Sequence, residues 1–301
     1  MTETNAALVS DSGGDAPLPD ALDAPRADFV TEHGRRLAYY ADTGHAGRPL
    51  VLIHSINAAP SSFEVKPLFD HYRQSRPVYS LDLPGFGHSE RGVGPYSPEL
   101  FAGALADFLV RVVKEPADVL ALSLSAEIAA RAAGLLPPGQ IASLVIVSPT
   151  GFSLRPLPNP RLARLTHKVL SLGVLQGLYD LVASRRSIRY FLGRSFVGEV
   201  PVEMIDYAYA TSHQPGARHA PLTFLSTRLF TADAMDRLYG KLTGLPVLVI
   251  ADRDPYITFE RLADFVASHP NWQAVSLAPH LGLPHWERLP ETLAALDAFW
   301  S

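Results

Sequence analysis

Val119-Leu120-Ala121-Leu122-Ser123-Leu124-Ser125-Ala126-Glu127-Ile128-Ala129 passes from an unbroken apolar run straight into an Ala-rich one. The first half is too short for an isolated helix and suits a strand buried on both faces; the second half is rich in helix formers. A serine displayed on so sharp a strand-to-helix turn needs small residues two positions before and two after it, or the strand end and helix start collide. Centred on Ser123, those positions hold Ala121 and Ser125; centred on Ser125, they hold Ser123 and Glu127. Glutamate fits poorly there, so sterics selects Ser123 as a displayed nucleophile. The Leu124 N–H and the positive end of the following helix then lie beside it as an oxyanion donor. The plain alternative is a serine-rich helix N-cap with no chemistry, because neither flanking position carries the usual glycine.

Outward from this junction, similar short apolar runs occupy residues 50–53, 77–83, 118–122, 141–147, 245–250 and 273–277. Residues 28–42 read as two strands around a turn at His33-Gly34, and helix-like stretches cover 62–72, 97–113, 126–136, 259–268 and 290–300. Strands alternating with helices predict an α/β fold, a mostly parallel central sheet flanked by helices. Residues 152–240 break the alternation with a helical pattern entered through Pro156, Pro158 and Pro160. Connections beyond about 15 residues are seldom plain loops, so an inserted helical cap is expected here, with the α/β core at 28–151 and 241–301.

The chain has 301 residues and a net charge of -4, which offers nucleic acid no electrostatic footprint. It contains no cysteine, so disulfides, thiolate metal sites and cysteine nucleophiles are excluded. No apolar run approaches the ~20 residues of a membrane span. The first 25 residues carry Glu3, Asp11, Asp15, Asp20 and Asp23 and no Lys or Arg. Residues 1–27 therefore read as a disordered acidic tail, without the basic start and apolar core of a secretory signal, and a cytoplasmic location is expected.

Several segments together resemble the α/β-hydrolase superfamily over residues 28–301. Leu50-Val51-Leu52-Ile53 leads into His54-Ser55-Ile56-Asn57, which is similar to that family's HG-x loop with Ser55 in place of glycine. Asp82-Leu83-Pro84-Gly85-Phe86-Gly87-His88-Ser89 resembles its D-x-P-G-x-G-x-S loop, the most specific match. The resemblance implies a second oxyanion donor at the Ile56 N–H, with Asn57 as fallback, and a nucleophile–acid–histidine order along the chain. The acid falls in Ala251-Asp252-Arg253-Asp254-Pro255 after a strand; the family spacing selects Asp254, with Asp252 as a structural competitor. The base falls in 278–287, where His285, in Gly282-Leu283-Pro284-His285, is preferred and His280 is the alternative. A serine nucleophile implies acyl chemistry through a Ser-His-Asp triad and an acyl-enzyme, with no cofactor and no metal.

The cap segment carries seven cations between Arg161 and Arg194 against one acid, Asp180, interleaved with apolar residues. Such helices lie on anionic membrane surfaces, or present a solvated face while the other packs. Tyr209 and His213 are candidate pocket residues, and an apolar cap implies a small hydrophobic acyl substrate. C–C bond hydrolysis, thioester, lactone or perhydrolase chemistry would use the same residues. A hydrolase-fold ligand receptor with little turnover is the competing class.

Overall fold

The computed structural model describes residues 17–157, 159–170 and 176–301. Its strands are β1 (Arg26–Val30), β2 (Arg36–Asp42), β3 (Leu50–Ile53), β4 (Val78–Leu81), β5 (Ala117–Leu122), β6 (Ile141–Val147), β7 (Val247–Ile250) and β8 (Trp272–Val275). They form one sheet in the order β1-β2-β4-β3-β5-β6-β7-β8. β2 runs antiparallel to β1 and β4, and every pairing from β4 to β8 is parallel. The core helices before the cap are α1 (Lys66–Tyr72), α2 (Pro98–Phe108) and α3 (Ser125–Ala133). The inserted segment between β6 and β7, the expected cap, contributes α4 (Pro160–Leu170), α5 (Gln176–Val182), α6 (Arg185–Gly193), α7 (Val202–Ser212), α8 (His219–Leu225) and α9 (Ala234–Arg237). α10 (Leu262–Ser268), α11 (Pro284–Glu287) and α12 (Leu289–Trp300) complete the chain.

The continuous apolar strands have this form because both sheet faces are covered. Successive side chains alternate between faces. Val51, Ile53, Val119, Ala121, Leu144, Ile146, Val247 and Val249 pack with Phe101 and Leu105 of α2, Ile128 of α3 and Phe265 of α10. Leu50, Leu52, Leu120, Leu122, Val145, Val147, Leu248 and Ile250 pack with Leu68 and Phe69 of α1 and Leu296 of α12. Each such Leu, Ile or Phe contributes about 1.5–3 kcal/mol of burial, so this parity fixes strand register strongly.

The D-x-P-G-x-G-x-S loop is wound around a fully buried carboxylate. Asp82 accepts from the Ser62 N–H at 2.9 Å, the Ser62 hydroxyl at 2.8 Å and the His88 N–H at 2.9 Å. Gly87 is obligatory here: its φ is +52° and a Cβ would stand 2.0 Å from the Asp82 carboxyl carbon.

The tail expectation needs correction at its inner end; residues 1–16 lie outside the described residues. Residues 17–27 dock on the core. Ala21 and Leu22 are buried, and the Ala21 N–H donates to the Tyr40 hydroxyl at 2.8 Å. The Pro19 carbonyl receives the Tyr207 hydroxyl, tying this segment to the cap at 3.0 Å. Leu18 and Ala24 pack beside them, so a few apolar side chains, inconspicuous among prolines and acids, order the segment against the assembled core.

Candidate active site

Ser123 stands where β5 turns into α3, with φ at +51°. A non-glycine residue in this region costs about 1–2 kcal/mol, and is retained where surrounding bonds determine it. Here the Ser123 N–H donates to the Val147 carbonyl of β6 at 2.8 Å, and its carbonyl receives the Ala126 N–H at 3.1 Å. Ser125 is fully buried and donates to the His54 carbonyl at 2.6 Å, which makes it a tie between two loops. Ser123 is half-buried, and its hydroxyl has no hydrogen bond among the described residues.

The loop after β3 lies opposite. Its shape comes from Glu64, a residue that no sequence motif marks. The buried Glu64 carboxylate accepts the Ser55 N–H at 2.8 Å, the Ser55 hydroxyl at 3.0 Å and the Asn57 Nδ2 at 3.0 Å. Asn57 Oδ1 in turn takes the Ala59 N–H at 2.8 Å. Asn57 is thus spent on holding the loop. His54 is also structural: Nε2 accepts the Leu83 N–H at 3.0 Å, so Nδ1 carries the proton and donates to the Ser55 carbonyl at 2.6 Å. Among the described residues, neither the Ile56 nor the Leu124 N–H has a hydrogen-bond acceptor.

After β7, Asp254 has the arrangement of an acid with one oxygen anchored. Its Oδ1 accepts the N–H groups of Tyr256 at 2.8 Å and Ile257 at 3.1 Å. Oδ2 receives no hydrogen bond among the described residues, and burial raises the carboxyl pKa. Asp252 turns to the neighbouring strand, accepting the Ser276 hydroxyl at 3.3 Å and the His280 N–H at 3.2 Å.

The two histidines occupy different worlds. His285 is fully buried, and its Nε2 meets the Glu64 carbonyl at 2.7 Å. A carbonyl only accepts, so Nε2 bears the proton and Nδ1 keeps the lone pair, buried without a partner among the described residues. Burial presses this imidazole's pKa down to about 4. Trp286 Nε1 donates to the same carbonyl at 2.7 Å, and the Glu287 carboxylate receives the cap's Val197 and Gly198 N–H groups at 3.0 and 2.7 Å. His285-Trp286-Glu287 is therefore a clamp between the Glu64 turn and the cap. His285, the base preferred from sequence, is tied through its proton-bearing nitrogen to a carbonyl 221 residues away, and like His280 it makes no hydrogen bond to Ser123 or Asp254.

His280 is oriented the other way. Nδ1 contacts the Leu281 carbonyl and so carries the proton, which leaves the lone pair on Nε2, buried with no partner among the described residues. Burial lowers its pKa, while the Leu281 carbonyl and the charge of Asp252 oppose that shift. The residue whose side chain would face Asp254 is Gly282, where a Cβ would lie 3.3 Å from Asp254 Oδ2 and 3.3 Å from the Cβ of Ser195 in the cap. No described imidazole hydrogen-bonds Asp254.

The remaining candidates belong to the cap. Tyr209 and His213 meet with ring centroids 3.9 Å apart and planes tilted by 31°, and Arg185 lies over Tyr209 at 4.3 Å. His213 lines a cavity of about 450 Å³ with Tyr179, Ser212 and His219, formed by cap residues alone. No group of three or more His, Asp or Glu suited to a metal ion occurs among the described residues. None of the described helices is long and apolar enough to cross a membrane.

A profile of the alpha/beta hydrolase family matches residues 50–296, and the chain belongs to that family. Among solved structures, a serine hydrolase involved in carbazole degradation superposes with a TM-score of 0.72 at 15% identity, covering 92% of this chain and 99% of that one. A hydrolase from Pseudomonas aeruginosa superposes with a TM-score of 0.70 at 20% identity, covering 93% and 99%. In sequence, the chain is 30% identical over 143 residues to the dihydrolipoyllysine-residue acetyltransferase component of an acetoin cleaving system from Cupriavidus necator. That match spans 46% of this chain and 37% of the relative's length.

Proposed function

We propose that the chain is a serine hydrolase of carboxylic esters or related acyl compounds, with Ser123 as nucleophile. The observation that carries the reading is the strained display of Ser123 beside two unengaged backbone N–H groups, those of Ile56 and Leu124. A serine hydroxyl is a weak nucleophile at neutral pH and needs a base. In this reading His280 is the base: its Nε2 holds a free lone pair, whereas His285, whose Nδ1 is also unpartnered among the described residues, is held in the clamp on Glu64 with its pKa pressed down to about 4. The Ser123 Oγ attacks the acyl carbon and its proton passes to His280 Nε2. The carbonyl oxygen takes the negative charge between the two N–H groups, a stabilisation typically worth ~3–4 kcal/mol per donor. The leaving alcohol then takes the proton, and water cleaves the Ser123 ester to regenerate the hydroxyl. The solved relative named as a serine hydrolase accords with acyl chemistry on this fold. A small hydrophobic acyl group is the substrate class this reading takes from the apolar residues of the 152–240 segment.

A specific observation favours a second reading. With Gly282 facing Asp254, the acid lacks the imidazole that would complete a Ser-His-Asp triad, as in a hydrolase-fold receptor that binds without turnover. Labelling with a fluorophosphonate separates the two. The hydrolase reading expects labelling of the full chain, lost in Ser123→Ala and reduced at least tenfold in His280→Ala. An unlabelled wild-type protein would favour the receptor.

A further inference from the structure

The lip of the cap beside the Asp254 loop combines features that a purely solvated surface does not need. α6 turns Ile188 and Leu192 inward, against Ile205, Ala208 and Ala59. On its outer side Arg186 and Arg189 are exposed, Tyr190 is 59% exposed and Phe191 48%. Residues 185–194 contain four arginines and no acid. The nearest carboxylate on α7, Asp206, is taken by Arg185. Among the described residues Arg186 and Arg189 make no salt bridge.

The patch is continuous with the site. The Arg194 guanidinium lies over the rings of Tyr190 and Tyr256, at 5.9 and 5.5 Å, and the Tyr256 hydroxyl donates to the Phe191 carbonyl at 3.2 Å. Tyr256 is half exposed and sits two residues from Asp254. One residue past Arg194, Ser195 packs against Gly282. Further along the chain Val197 and Val202 are exposed as well, with the exposed acids Glu199 and Glu203 beside them in sequence.

Exposed aromatic rings interleaved with unpaired arginines on an amphipathic helix match an interface of apolar tails beneath anionic headgroups. The rings are amphipathic and sit at headgroup depth, and the cations meet the negative surface. A partner protein with an acidic face would satisfy the charges but has no comparable need for two adjacent exposed rings.

We propose that the α6 lip (Arg186, Arg189, Tyr190, Phe191, Arg194 and Tyr256) docks the protein peripherally on an anionic lipid surface. This docking presents the Asp254 edge of the site to lipid-soluble acyl compounds. The docking itself does not depend on the hydrolase reading; only the choice of substrate does.

The test is flotation of the full chain with vesicles of phosphatidylcholine alone and with added phosphatidylglycerol, at low and high salt. Binding is expected to require phosphatidylglycerol and to weaken with salt. Each arginine removed should weaken it about fivefold, so Arg186→Gln with Arg189→Gln gives roughly 25-fold. Phe191→Ser should weaken binding at every salt concentration. Thermal melts establish that both variants fold; none of the three residues belongs to the catalytic machinery, so phosphonate labelling in detergent-free buffer should be unchanged. Equal binding to neutral and anionic vesicles, no binding to either, or binding unaffected by both variants would overturn the proposal. Because labelling is read separately, failure of docking leaves the Ser123 chemistry judged on its own result.

Discussion

His285 should make the fold sensitive to mild acid, by an amount the structure sets. Its ring is fully buried, donates through Nε2 to the Glu64 carbonyl, and leaves Nδ1 without a partner among the described residues. Protonating Nδ1 would place a cation in the core, so the pKa falls from its ordinary 6.5 to about 4. Since the unfolded chain takes the proton first, the stability His285 contributes is whole above pH 6.5 and is lost as pH falls toward 4. At pH 5 the unfolded imidazole is mostly protonated and the folded one mostly neutral, a difference of about 2 kcal/mol relative to pH 7. His285→Gln isolates the effect, because its amide nitrogen can still donate to Glu64 and does not titrate. Urea unfolding of both proteins at pH 7 and pH 5 should show the wild type losing about 2 kcal/mol more than the variant. Carboxylates elsewhere titrate in both proteins and cancel. His280, whose charge acts on His285, is handled by repeating the pair in a His280→Gln background. Equal losses in wild type and His285→Gln would refute the reasoning, and would mean that the ring is solvated or bonded at Nδ1.

Glu64→Gln keeps one acceptor oxygen, so it cannot serve both the Ser55 N–H, now on Oε2, and the Ser55 hydroxyl and Asn57, now on Oε1, and the Ile56 N–H should lose its position. Phosphonylation of Ser123 is expected to slow about tenfold to a hundredfold, with only a modest change in melting temperature. Gly87→Ala would drive a methyl into the Asp82 carboxylate at a positive φ, and urea unfolding should show a loss of at least about 3 kcal/mol. Gly282→His places an imidazole against Asp254 Oδ2; combined with Ser195→Gly to relieve the 3.3 Å contact, it should raise the labelling rate at Ser123 at least tenfold. An unchanged rate in that double variant would mean that residue 282 cannot direct a base toward Ser123.

Local rules carried the sequence reading a long way. Alternation of apolar strands with helices, and the apolar runs at 50–53, 118–122, 141–147 and 245–250, determine the wound parallel sheet by themselves. The small residues Ala121 and Ser125 determine which serine occupies the sharp turn, because the constraint acts within five residues of chain. The D-x-P-G-x-G-x-S loop is equally local, since Asp82 closes on His88 and excludes any Cβ at Gly87.

What the sequence left open depended on partners far away along the chain. His285 and His280 stand five residues apart in similar company, and nothing local distinguishes them. The Glu64 carbonyl, brought to His285 by packing of the Ser62–Val65 turn against α11, assigns one imidazole to structure. The Leu281 carbonyl turns the other's lone pair outward from its own backbone. Glu64 itself is invisible as a motif, because its function is to fill hydrogen bonds of a loop whose shape exists only once β3 and the following turn are in place. The docking of residues 17–27 follows the same logic, with apolar content too small to signal order and a core surface that exists only once the fold is assembled. Steric demands between chain neighbours are written in sequence; the choice of a hydrogen-bond partner across the fold is made when distant groups are brought within 3 Å of one another.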